Sequence, residues 1–338
     1  MSGLTRRSVA ALLALQLAPL AALPAADAVE QPTVPRAWPW KSGTHKLMVD
    51  GVERTFVLDV PTQLKPGAAL VMVFHGYGES PQAIRRYAGF TPLVEKYGFV
   101  AVYPQGTRDG DGYSCFNVGY DFQKNMKADD AKFARELAAQ LVHDLDLDPF
   151  SVFATGCSNG GDMCYFLARQ PKSFVNSIAS VAGCMLVAWT NGFAPSTHTS
   201  VMEVHGTCDK TTPWEGDLAN HDGCGAYLGT DAVMKLWVKG LSLEKSETTE
   251  LSEGASPKQS KILLHRWWTT TDSAEMRLYE VQGGRHVWPK NLGDKNRSTA
   301  AEIWSFFEPH RPRIDRNSKI EPFFGIAHDF LSELSQIF

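Results

Sequence analysis

The sequence predicts an α/β chain, a mostly parallel sheet flanked by helices in a single domain. Three observations point there. Short, wholly apolar runs recur along the chain, segments of helical period alternate with them, and several runs end in Gly or His-Gly, the abrupt turn a strand makes as it feeds a loop or helix.

Taken in order, residues 1–28 read as a signal peptide cut after Ala28. Arg6 and Arg7 precede an apolar run from Val9 to Leu23, and Ala26-Asp27-Ala28 offers a small-residue cleavage site. Gln16, Pro19 and Pro24 interrupt that run and leave it short of the ~20 residues a spanning helix needs, so the expectation is export and a mature protein without a membrane partner. Residues 29–43, rich in Pro and Trp, look like a lead-in strap to a folded domain at 44–310. HKLMVDGVERTFVLDVP reads as a hairpin turning at Asp50-Gly51. ALVMVFHG, GFVAVYPQG, FSVFATG, IASVAG, VMEVHG and RLYEVQGG follow as strands buried on both faces, and DDAKFARELAAQLVHDL and GGDMCYFLARQ as helices between them. Residues 242–261 are polar and low in aromatics and are expected to form an exposed, mobile insertion, after which the apolar pattern resumes in ILLHRWW. STAAEIWSFFEPH reads as a closing helix stopped by Pro309. In the tail, 311–338, Ile326, Phe330, Leu334 and Phe338 share one helical face that would dock on the domain or, as the alternative, on a partner.

Composition narrows the function. At 43% hydrophobic, 21% charged and net charge −4, with Lys and Arg dispersed, the 338-residue chain has no basic stripe for a phosphate backbone, which excludes nucleic acid as a partner. The cysteines Cys115, Cys157, Cys164, Cys184, Cys208 and Cys224 show no C-x-x-C spacing, so no structural zinc is expected, and export favours disulfides among them.

The chemistry centres on TGCSNGGDMC. Gly156-Cys157-Ser158-Asn159-Gly160 follows a strand-like run and precedes a helix-like one, the setting in which a tight turn holds a serine out as a nucleophile. The alternative is that Ser158 merely caps the helix. A serine needs a histidine to take its proton, and that histidine needs a carboxylate to hold its tautomer. Downstream, Asp209 lies just beyond a strand end in VMEVHGTCD, whereas Asp217, Asp222 and Asp231 lie deeper in loop sequence. His286 follows the last strand behind a Gly-Gly; His205 precedes the acid, and His221, His265 and His310 lack a strand-end setting. The order Ser158, Asp209, His286 is the one this strand–turn–helix setting requires. For the oxyanion, the amides of Asn159 and of Tyr77, in the Gly-rich turn His75-Gly76-Tyr77-Gly78, are the candidate donors.

HGYGES, YPQGT, DDAKF, GCSNGGDM, HGTCD, GGRHVWP and AAEIWSFF, in that order, resemble the secreted polyhydroxybutyrate depolymerase and feruloyl esterase family of α/β hydrolases from about residue 45 to 310. The resemblance implies the α/β-hydrolase fold for the catalytic domain and an exported serine carboxylesterase without cofactor or metal. Ser158 would be nucleophile, Asp209 acid and His286 base, acting on a small-molecule or polysaccharide-linked ester. Trp288, close behind His286, either lies along the substrate or simply packs. Cys157 and Cys208 beside the nucleophile and acid depart from the family pattern, and a disulfide from Cys184 to one of them is expected. The short tail carries no Ser/Thr-rich linker to a polymer-gripping domain, which favours feruloyl or acetyl esters of plant polysaccharide over polyhydroxybutyrate, of which only soluble oligomers would serve. A prolyl-oligopeptidase-like peptidase would share the elbow but carry propeller repeats upstream, and none are found. A non-catalytic glycan-binding module on the same scaffold would be marked by a broken triad.

Overall fold

A computed structural model describes residues 38–170, 173–196, 198–251, 261–270 and 274–311. The expected signal peptide, most of the strap and the tail helix lie outside the described residues. The strap's end is anchored at Trp40, whose indole Nε1 donates to Asp144 Oδ2 at 2.7 Å.

The hairpin forms as read: β1 (Gly43–Val49) pairs antiparallel with β2 (Val52–Asp59), and Asp50 and Gly51 both take positive φ, as the twist of a two-residue hairpin loop demands. The apolar runs supply β3 (Leu70–Phe74), β4 (Val100–Pro104), β5 (Val152–Cys157), β6 (Ser177–Val181) and β7 (Ser200–Gly206), with every residue of each buried. Then follow β8 (Lys245–Glu250), β9 (Ile262–Trp268) and β10 (Glu275–Val281). Among the described residues these make a ten-stranded sheet in the order β1-β2-β4-β3-β5-β6-β7-β10-β9-β8. Every contact from β4 through β3, β5, β6 and β7 to β10 is parallel, and the strands outside that stretch pair antiparallel. This is the α/β-hydrolase type of sheet, long and mostly parallel, with helices on both faces.

Alternation along the strands sorts the core into two layers. Leu70, Met72, Phe74, Val152, Ala154, Ile178 and Val201 face the side covered by α3 (Asp130–Asp144), α4 (Asn159–Ala168) and α5 (Thr230–Gly240). Val71, Val73, Phe153, Ala179, Val181 and Met202 face α1 (Pro81–Ala88), α2 (Thr91–Tyr97) and α6 (Thr299–Phe307). On the second side Phe153 stacks on Phe307 with ring centroids 4.8 Å apart, and Trp304 stacks on Phe99 at 4.3 Å; an aromatic so enclosed typically costs ~3–5 kcal/mol when cut to Ala. Helix starts follow ordinary capping chemistry: Ser80, Asp129 and Ser298 each accept a backbone N–H of the first turn.

Lys245–Glu250, inside the stretch expected as an exposed insertion, is an edge strand, β8, exposed at every residue and held by its ladder to β9. Residues 252–260 lie outside the described residues. No described helix is long and apolar enough to cross a membrane.

Candidate active site

The candidate residues come from the carboxyl ends of neighbouring strands. Phe74 is in register with Gly156, Cys157 with Val181, Val181 with Val204, and Gly206 with Val281, so the loops after β3, β5, β7 and β10 leave one rim of the sheet.

Ser158 occupies the turn between β5 and α4 with φ 54° and ψ −123°. A non-glycine residue rarely adopts that conformation, which stores ~1–3 kcal/mol. The turn is held by Ser158 N–H donating to Val181 O and Asp162 N–H to Ser158 O, each at 2.9 Å. Its tightness explains the flanking glycines: a Cβ at Gly156 would lie 2.4 Å from the Gly160 backbone, and one at Gly160 2.1 Å from Phe74 O. Although Ser158 precedes the helix, its hydroxyl makes no capping bond to it. The capping alternative therefore does not hold.

Asp209 and His286 meet. Asp209 Oδ2 accepts from His286 Nδ1 at 2.7 Å, and Oδ1 accepts the N–H groups of Thr211 and Thr212, each at 2.8 Å. The Asp209 side chain is fully enclosed and the imidazole is 21% exposed. Burial raises the Asp209 pKa, but His286 and the two amides outweigh it and hold the carboxyl below its ordinary value. With Nδ1–H donating to the carboxylate, Nε2 of His286 is the free acceptor. The two loops close because Cys208 N–H donates to Gly284 O at 2.9 Å, an approach so near that a Cβ on Gly206 would sit 2.4 Å from Gly284. Of the competing acids, Asp217 is committed to His221 at 2.9 Å. No hydrogen bond joins the Ser158 hydroxyl to His286 in this structure; such a bond is commonly long until substrate draws the site together.

Asn159 opens α4, so its amide lies among the free N–H groups of the helix start. Its side chain is clamped: Oδ1 accepts from Phe116 N–H at 2.7 Å, while Nδ2 donates to Phe116 O at 3.0 Å and to the Tyr120 hydroxyl at 3.3 Å. That hydroxyl donates in turn to Asp162, which burial lifts to about 7. Tyr77 lies in the loop after β3, where Gly78 N–H donates to Ser114 O at 2.7 Å, Gly76 N–H donates to Glu79 at 3.1 Å, and the Tyr77 hydroxyl donates to Asp109. Beneath this loop the buried His75 donates from Nδ1 to Gly76 O at 2.7 Å and accepts Gly106 N–H at Nε2, 3.0 Å away. Trp288 packs on Tyr87 and Phe90, with ring centroids at 6.2 and 6.4 Å.

The expected disulfide is corrected: all six cysteines are free. Cys157 points into the α1/α2/α6 layer and Cys184 into the α3/α4/α5 layer, so the sheet lies between them, and Cys208 is exposed. Burial pushes Cys157 up to about 12 and Cys115 and Cys224 to about 11, which keeps these thiols protonated and inert. Among the described residues no cluster of His, Cys, Asp or Glu is arranged to hold a metal ion.

Sequence reasoning passed over Glu79, Tyr120, Asp162 and Glu203, and named His75 and His205 without giving either a role. A signal existed for three of them, since Asp162, Glu203 and His205 are polar groups set inside otherwise apolar segments.

No family model matches the chain. It is 25% identical over 317 residues to "Putative esterase NocK" of Nocardia uniformis, a match covering 86% of this chain and 91% of that one. It is 26% identical over 197 residues to "Probable feruloyl esterase C" of Aspergillus flavus, covering 56% of this chain and 68% of that one. The acetyl xylan esterase of Aspergillus awamori superposes with a TM-score of 0.56 at 13% identity, over 79% of this chain and 99% of that one, which shows a shared fold.

Proposed function

We propose that this chain, a carboxylic ester hydrolase of the feruloyl esterase and polyhydroxybutyrate depolymerase family of α/β hydrolases, is secreted and cleaves feruloyl or acetyl esters of plant polysaccharide through a Ser158–His286–Asp209 triad. The observation that carries the reading is the 2.7 Å contact between His286 Nδ1 and the enclosed Asp209, on the same rim as a serine held at positive φ without a capping role.

In this reading Ser158 Oγ attacks the ester carbonyl carbon while its proton passes to His286 Nε2. The negative charge that moves onto the carbonyl oxygen is met by the N–H groups of Asn159 and Tyr77, donors worth ~2.7–4 kcal/mol each in comparable sites. The tetrahedral centre collapses, the C–O bond to the alcohol breaks, and His286 hands its proton to the departing alkoxide. Water, deprotonated by the same imidazole, then attacks the acyl-enzyme; the carboxylic acid leaves and Ser158 recovers its proton. Asp209 holds the imidazole in the tautomer that makes Nε2 the base and stabilises the imidazolium between the two transfers.

Methyl ferulate, acetylated xylan and a soluble hydroxybutyrate oligomer, assayed side by side with the wild type and Ser158→Ala, test this. The expected result is turnover of the ferulate or the acetylxylan and a loss of about 10⁴-fold or more in the variant. Undiminished hydrolysis by Ser158→Ala would overturn the triad, and turnover of the hydroxybutyrate oligomer alone would overturn the substrate class.

A further inference from the structure

Behind Asp209 lies a second charged pair that the hydrolytic steps do not use. Glu203 and His205 are alternate residues of β7 and so share one face, under α4, and both are buried to within 2% of full enclosure. His205 Nδ1 lies 3.0 Å from Glu203 Oε1, and Nε2 lies 2.8 Å from Thr212 O and 3.8 Å from Asp209 Oδ2, the oxygen that holds His286.

Every neighbour of this ring's nitrogens is an acceptor. A carbonyl oxygen can only accept, so Nε2 carries a proton, and a single proton must also lie between Nδ1 and Glu203. Two groups place that proton on the ring. Glu203 Oε2 already accepts the Tyr165 hydroxyl at 2.9 Å, which favours its carboxylate form, and Asp209 at 3.8 Å favours a positive imidazole. We infer that Glu203 and His205 form a buried ion pair that acts as a positioning pair for the reaction: its imidazolium offsets part of the Asp209 charge and thereby weakens the hold of Asp209 on the positive His286 formed during proton transfer. The inference rests on the Asp209–His286 reading above.

Burial raises the Glu203 pKa above its ordinary value, against the lowering by His205, Ser180 and Tyr165, so the place of the proton on the ring rests on the acceptors around His205. Burial lowers the His205 pKa, but the bond and charge of Glu203, then Thr212 O and Asp209, reverse that and leave it above the ordinary value. From α4, Tyr165 bonds Glu203, and the buried Asp162 and Cys164 lie within reach of its charge; from the loop after β6 comes Cys184, likewise buried. On β10, Glu280 is in register with His205 but bonds His265 at 3.0 Å. Trp214 closes the remaining side edge-on, 5.9 Å from the imidazole. The cavity bordering the pair measures about 10 Å³, room for at most one water, so neither residue touches substrate.

Glu203→Gln is the test variant, because a Gln amide can donate to Nδ1 and leave His205 neutral with its bonds kept. Nitrogen NMR of the wild-type chain is expected to show both His205 ring nitrogens protonated at pH 8, and one only in Glu203→Gln. The acid limb of the kcat/KM profile is expected to move up by about half a pH unit in the variant, since the nearer, positive end of the pair is lost, with KM unchanged. A neutral wild-type ring at pH 7, or a limb that stays put once the variant ring is shown neutral, overturns the inference; should the variant fail to fold, the wild-type spectrum decides alone. Full hydrolysis by Ser158→Ala would instead remove the underlying reading while leaving the His205 spectrum as it is.

Discussion

Two strands of this sheet run out through the same dipeptide, His75-Gly76 just beyond β3 and His205-Gly206 closing β7, and put it to opposite use. At the end of β3, His75 lies between a carbonyl that accepts its Nδ1–H and an amide that donates to Nε2, so the ring is neutral, and burial, the largest influence on it, lowers its pKa. At the end of β7, His205 lies between Glu203 and Thr212 O with Asp209 beyond, and its pKa is raised. In the proposed reaction the first braces the loop whose Tyr77 amide would receive negative charge, where rigidity is needed. The second stands behind Asp209, the carboxylate that in the proposed reaction steadies His286 as the base. A buried imidazole takes its charge from the donors and acceptors around it, and those come from other elements of the fold.

The comparison can be broken by variants that act on one strand end at a time. The largest effect is expected at β7: Asp209→Asn leaves the loop in place but offers His286 the wrong tautomer, and kcat should fall about 10⁴-fold in steady-state assays. At β3, His75→Ala strands a buried amide and loosens the Tyr77 loop. The expected loss of kcat is up to the ~10²–10³-fold that one oxyanion donor is worth, with the acid limb of the pH profile unmoved, in contrast to Glu203→Gln. Were His75→Ala to shift that limb, the two histidines would not divide their work as described.

A third prediction concerns pH and stability. Asp162 has a folded value near 7, raised by burial from the ordinary 3.8, so the folded state holds its proton more tightly than the unfolded chain. The resulting stability is fully present below about pH 4 and lost as pH rises toward 7. His205, also raised, adds a loss in the same direction above its ordinary 6.5. Urea unfolding between pH 4 and 8 should show this decline, and Asp162→Asn should flatten its lower half. The smallest effect is expected at Cys208: Cys208→Ser should leave kcat unchanged, and a thiol reagent should modify exposed Cys208 in the native chain well before Cys157, Cys164 or Cys184.

The strands buried on both faces were readable because LVMVF or SIASV allows little else between turn residues, and the elbow was readable because a Cβ at Gly156 or Gly160 has no room. β8 was not. KSETTE has no apolar side, and what makes it a strand is the free edge of β9, which a local pattern does not contain. The disulfide failed for a related reason. Proximity to strand ends said nothing of faces, and Cys157 and Cys184 turned out to face opposite layers. Glu203 and His205 were legible in part, since period-two alternation in VMEVHG sets both on one face. Their partners Tyr165 and Thr212 come from elsewhere in the chain, and with them the charge of the ring.

The most direct measurement is covalent capture of the nucleophile. Treated with a fluorophosphonate, digested and mapped by mass spectrometry, the wild-type chain should carry one adduct, on Ser158, formed in step with loss of esterase activity and much slower to form in Asp209→Asn. An adduct on another residue, or continued ester hydrolysis with Ser158 fully labelled, would contradict the account.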